Sequence, residues 1–124
     1  RLRRRFTQGL VRMSQTSSQA EVCERFGSLL HSPGEDERLG VALATLALLP
    51  LNALRHIPEN GTCGWYIWGG EYSSHPEFFQ PLHVHHIVQE APELVPYLGL
   101  APGWRVLLAP GYTDVWYDVS LLSG

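Results

Sequence analysis

The run His83-Val84-His85-His86 holds three of the chain's six histidines. Imidazole is a common donor to zinc and related ions, and it titrates near neutral pH. If this segment is helical, His83, His86 and Glu90 recur at three- and four-residue spacings and share one face. Two imidazoles and a carboxylate so spaced can hold a metal, and His75 or Glu71 from the preceding loop could complete a tetrahedral set. No standard zinc motif surrounds the cluster, so the expectation is no metal and no cofactor. A metal- or small-ligand-binding domain built on His83, His86 and Glu90 stands as the alternative. A nucleophilic reading would use Cys63 with His75 or His83 as its base. Cys63 borders the most apolar stretch of the chain, where buried thiols are inert, and no family-specific signature surrounds it. No catalytic residue is expected, and the chain is not expected to be an enzyme.

The elements that must position these residues are organised around Gly64-Trp65-Tyr66-Ile67-Trp68-Gly69-Gly70-Glu71. Four bulky residues between glycines read as a strand, with Trp65 and Ile67 on one face and Tyr66 and Trp68 on the other. Both faces are apolar, which predicts a central, covered strand. Before it, Leu2, Phe6, Leu10 and Met13 have the spacing of a basic terminal helix. Ser17 or Ser18, with Glu21, marks the start of a second helix to Leu30 that buries Val22, Phe26, Leu29 and Leu30. Glu35-Asp36-Glu37 suits the start of a third, and the apolar run Leu39 to Leu49 reads as its buried body, ended by Pro50. After the strand, Pro81 is placed to open a helix over Leu82 to Glu90, and Pro92 to Leu98 adds a turn. Trp104 to Ala109 and Tyr112 to Asp118, joined by Pro110-Gly111, read as a hairpin. The expected fold is α+β: N-terminal helices packed on a small, mostly antiparallel three-stranded sheet, with a β-α-β-β C-terminal half. Residues 1–124 read as a single domain, helical over 1–58 and β-α-β-β over 59–124.

Composition removes several function classes. All nine basic residues are arginine, so a Walker-type phosphate loop and lysine Schiff-base chemistry are excluded. A net charge of −3 argues against a nucleic-acid partner. The longest apolar run is too short to span a bilayer, so no membrane partner is expected. Cys23 and Cys63 form no pair motif, and no secretory signal is visible; free thiols in a reducing cytoplasm are expected. What remains conspicuous are the strand ends, where Glu71 and Tyr72, and Trp116, Tyr117 and Asp118, set aromatic rings beside carboxylates. Such pairs suit a protein-binding patch. The expected partner-contacting set is Glu71, Tyr72, His83, His86, Trp116, Tyr117 and Asp118.

Four segments taken together resemble a known family: Gly64 to Glu71, Phe78-Phe79-Gln80-Pro81-Leu82-His83-Val84-His85-His86, Pro96-Tyr97-Leu98-Gly99-Leu100-Ala101-Pro102-Gly103-Trp104-Arg105, and Gly111 to Asp118. Over about residues 64–122 the chain is similar to the immunity protein 33 family of bacterial polymorphic toxin systems. Residues 1–60 carry no matching motif. The resemblance implies a small cytoplasmic protein that binds a cognate toxin domain stoichiometrically, without catalysis or cofactor. The family's motif positions fall here on Trp65, Trp68, Glu71, Pro81, Leu82, His83, His86, Trp104, Asp114, Trp116 and Asp118.

Overall fold

The computed structural model describes residues 15–123, so the basic segment 1–13 lies outside them. Helix α1 (Gln15–Phe26) leads into a six-stranded sheet: β1 (Arg38–Val41), β2 (Leu51–Arg55), β3 (Thr62–Gly69), β4 (Gln80–His83), β5 (Trp104–Ala109) and β6 (Tyr112–Tyr117). A short helix α2 (Ile87–Glu90) and 3₁₀ turns at Leu43–Thr45, Val84–His86, Pro92–Tyr97 and Val119–Leu122 connect them. The sheet order is β4-β1-β3-β2-β5-β6. Every neighbouring pair is antiparallel except β1 and β3, which run parallel. The class is α+β, with a mixed six-stranded sheet in place of the three antiparallel strands expected.

The largest correction concerns residues 38–55. The apolar run Leu39 to Leu49 is not a helix: its first residues form β1, a 3₁₀ turn follows, and β2 begins just after Pro50. A short, uniformly apolar run fits a buried strand as well as a buried helix. Here Gly40 decides for the strand, since it stands opposite Tyr66 and leaves the space that the ring fills. Glu35-Asp36-Glu37 therefore leads into a strand. Pro81 sits inside β4, an edge strand, where a missing N–H is tolerated. Helix α1 starts by Gln15 and is closed at Gly27, so Leu29 and Leu30 lie beyond it and are exposed. The hairpin of β5 and β6, the central place of β3 and the burial of Val22 match the sequence reading.

One sheet face carries the core. Leu39 and Val41 of β1, Leu51 and Ala53 of β2, Cys63, Trp65 and Ile67 of β3 and Val106 of β5 pack against Val22 and Cys23 of α1 and against Val84, Ile87, Leu94, Val95, Leu98 and Leu100. Burying each large side chain contributes about 1.5–3 kcal/mol. Two polar side chains tie the layers together. Buried Gln19 donates from Nε2 to Val95 O (2.9 Å) and accepts from Ser32 Oγ (2.6 Å). Arg55, 1% exposed, donates from Nε to Cys63 O (3.0 Å) and from one terminal nitrogen to His31 O and Leu100 O (both 2.7 Å) and, more weakly, to Leu98 O (3.4 Å). Its guanidinium lies 5.6 Å from the Trp65 ring centroid, and Trp65 Nε1 itself donates to Leu98 O (2.9 Å). Burial pulls the Arg55 pKa below its ordinary value. Arginine still stays charged there, and the carbonyl oxygens take the place of water around the cation. No described helix is long and apolar enough to cross a membrane.

Candidate functional site: the open sheet face and the histidine corner

The alternation of β3 that buries Trp65 and Ile67 turns Tyr66 and Trp68 to the opposite face. Strand register builds that face in rows. Gly40, Tyr66, Leu54, Arg105 and Trp116 stand side by side across β1, β3, β2, β5 and β6. Trp68, Asn52, Leu107 and Asp114 form the row beside it. Among the described residues, the chain following β3 and the turn Val119–Leu122 border this face without closing it. What is left is a pocket of about 790 Å³ lined by both.

Aromatic rings set the shape of the pocket. Tyr66 meets Phe79 edge to face (5.2 Å between centroids, 70°) and His56 in the same manner (5.6 Å, 74°). Trp68 meets Tyr72 (5.4 Å, 71°), and Phe78 meets Phe79 (4.9 Å, 71°). Edge-to-face pairs contribute about 0.5–1.5 kcal/mol each beyond the area they bury. The wall is therefore held by its own rings. Gln80 fastens the loop below by donating to Glu77 O and accepting from Leu43 N. His56 Nδ1 lies 3.2 Å from Leu121 O, which ties in the C-terminal turn.

Arg105 lines the pocket together with His56, Glu59 and Ser123. Its guanidinium lies 5.4 Å from the Trp116 centroid, and one terminal nitrogen pairs with Asp118 Oδ2 at 3.1 Å. Its Nε–H is buried and has no hydrogen-bond partner among the described residues. Asp118 also accepts from the hydroxyl and the N–H of Ser120. The Ser120 hydroxyl first, and Arg105 next, hold the Asp118 carboxyl below its ordinary pKa.

The residues expected from the sequence divide among three places. Tyr72, 60% exposed, belongs to the pocket wall, with exposed Glu71 beside it. Trp116 and Asp118 reach the pocket through Arg105. Tyr117 faces the other way and packs on Trp104 (5.5 Å, 65°). His83 and His86 lie at the β4 edge, at the opposite end of the strand order from β6. Sequence reading missed His56, Phe79 and Arg105. The signal for Arg105 was its alternation with Trp104 and Val106, which puts a cation on the face opposite the core.

The helical face His83–His86–Glu90 does not form, because His83 ends β4 and α2 begins only at Ile87. The cluster that does form is His83, His85 and His86, without Glu90, and its donor nitrogens all lie within 4.8 Å of one another. Cys63 does not suit a nucleophile. It is 2% exposed, burial raises its thiol pKa, and no histidine hydrogen-bonds to it among the described residues. Burial likewise raises Cys23, whose Sγ lies 3.3 Å from Gly99 O; both thiols are free.

Comparison with known proteins finds one family, described as Imm33-like domain, whose model matches residues 18–118. No curated protein and no solved structure matches. The match runs from α1 through all six strands to Asp118, and so takes in residues 18–60, where the sequence showed no recognisable motif. The chain belongs to the Imm33-like domain family.

Proposed function

We propose that this protein is an immunity protein: it binds a cognate bacterial toxin domain one to one and neutralises it by occlusion, without chemistry of its own. Membership of an immunity-protein family supports the reading. The observation that carries it is the sheet face that the described residues leave open, where Tyr66, Trp68, Tyr72 and Phe79 surround a pocket of about 790 Å³. Proteins seldom leave a built aromatic concavity without a partner, and aromatic rings with a nearby arginine are the usual anchors of protein interfaces. An apolar side chain on a toxin loop fills the pocket, beside the Arg105–Asp118 pair. Glu71, Trp116 and Asp118 supply the rim. Tyr117, on the other face, and His83 and His86, at the far edge, fall outside this contact. Two free, buried thiols suit a reducing cytoplasm.

The test pairs capture with protection. The tagged protein is used to recover its partner from host lysate, and the recovered domain is then expressed with and without this chain. Growth arrest by the domain alone, relieved by the wild type, supports the reading. A captured domain that is harmless, or whose toxicity this chain does not relieve, rejects it. Tyr72→Ala is expected to weaken binding about tenfold or more. Binding unchanged by both Tyr72→Ala and Arg105→Ala would leave immunity standing and move the interface elsewhere.

A further inference from the structure

We propose that His83, His85 and His86 form a binding site for one divalent transition-metal ion of the zinc, nickel, cobalt and copper class. The site is separate from the open sheet face and does not depend on the immunity reading. Its three donor nitrogens already lie within 4.8 Å of one another. Nitrogens around a tetrahedral ion with bonds of about 2.0–2.1 Å sit roughly 3.4 Å apart. Small rotations of the rings close that gap, and His85 and His86 are exposed and free to make them.

The chain gathers these rings by changing secondary structure beneath them. A strand brings i and i+2 to one side; a 3₁₀ turn, with three residues per turn, brings i and i+3 to one side. His83 ends β4, and Val84–His86 is a 3₁₀ turn. Both rules therefore act at one corner, and His85 and His86 each meet His83. The ring centroids are 4.1 Å apart for His85 and His86, 5.5 Å for His83 and His85, and 6.2 Å for His83 and His86.

The backbone of the corner is fixed before any ion arrives. His83 is in register with Arg38 of β1. The Val84 N–H donates to Glu37 O (2.8 Å) and the His85 N–H to Glu35 O (3.2 Å). Val84 and Ile87, on either side of the exposed pair, are buried in the core. Binding thus orders side chains and not main chain.

The donor set selects the metal. Three neutral imidazoles with no carboxylate among them suit borderline transition metals and are poor ligands for magnesium or calcium. Three protein ligands also leave a fourth position for water or an outside donor. Glu35 and Glu37 sit on the segment whose carbonyls accept the corner's N–H groups, and Arg38 is in register with His83.

The experiment is titration of the full chain, free of any polyhistidine tag, with Co²⁺ followed by visible absorption and with Zn²⁺ followed by calorimetry. The wild type is expected to take one ion per chain. His85→Ala and His86→Ala, both at exposed positions, are each expected to weaken binding about tenfold or more. His75→Ala, outside the cluster, is expected to change nothing. Absence of saturable binding overturns the proposal. So does one-to-one binding that survives both His85→Ala and His86→Ala, with circular dichroism confirming that the variants are folded.

Discussion

Replacing Arg55 with methionine tests the account of the core most directly. The guanidinium is 1% exposed and donates to main-chain oxygens from three separate parts of the chain. Methionine matches its length without its donors. His31 is exposed, so water can reach its carbonyl, and Leu98 O keeps the Trp65 indole. Cys63 O and Leu100 O, on residues that are 2% and 0% exposed, are left without this donor. A buried polar group stripped of its partner costs about 1–3 kcal/mol. Relief of the cost of burying a cation offsets part of the loss. The net expectation is a loss of about 3 kcal/mol, which for a chain of this size lowers the thermal midpoint by roughly 12 °C. Arg55→Lys should fall between, because one ammonium cannot reach to Cys63 O and the 98–100 segment together. Urea denaturation followed by tryptophan fluorescence measures both, with Trp65 reporting from beside the substituted residue. A methionine variant within about 1 kcal/mol of wild type, with an unchanged denaturant slope, would refute the reasoning. It would mean that burying the cation costs as much as its bonds return.

Other consequences can be checked in the same preparations. Gly40→Ala would set its new methyl 2.6 Å from the Tyr66 ring, which Phe79 and His56 hold in place, so a loss of about 1–3 kcal/mol is expected in denaturation. Gly34→Ala, whose methyl meets nothing nearer than 3.7 Å, should stay within about 0.5 kcal/mol of wild type. Asp118 titrates below its ordinary value in the folded chain. Its contribution is therefore complete above the ordinary carboxylate pKa and disappears as pH falls through that value and below it. Asp118→Asn should accordingly lose less stability than wild type between about pH 6 and pH 2. Cys23 and Cys63 should resist alkylation in the native state and react only at the rate of unfolding; reaction at the rate of a free model thiol would contradict their burial.

The sequence was most legible where one face of one element carried the signal. Trp65 and Ile67 against Tyr66 and Trp68 announced β3 and its two faces, and Pro110-Gly111 announced the hairpin that follows. Where the signal depended on pairing, it failed. Leu39 to Leu49 is as apolar as a core helix, and only Tyr66 of β3, lying opposite Gly40, shows why its start is a strand. Pro81 marks the first turn of a helix in isolation, but an edge strand admits it equally well. Arg55 gave no sign of burial, because its partners are carbonyl oxygens and carry no sequence signature. The pocket was half visible: Tyr72 could be named from its strand end, but His56 and Arg105 are brought to it by the register of β2 and β5. For the histidines, the residue types were plain, while the grouping of His83, His85 and His86 depended on a strand turning into a 3₁₀ helix.

The strand order also governs when the protein can be finished. Only β2 with β3, and β5 with β6, are neighbours in both chain and space. β1 waits for β3 across a stretch of about twenty-five residues and for β4 across roughly forty, and β2 waits for β5 across about fifty. During synthesis β2 has one edge bare until residues 104–109 have emerged, and the Arg55 that it carries has no carbonyls from residues 98–100 to hold until shortly before then. Folding is therefore completed late, at the millisecond-to-second pace of sheets joined by distant pairings, and a ribosome stalled before β5 presents a chain with an unclosed sheet.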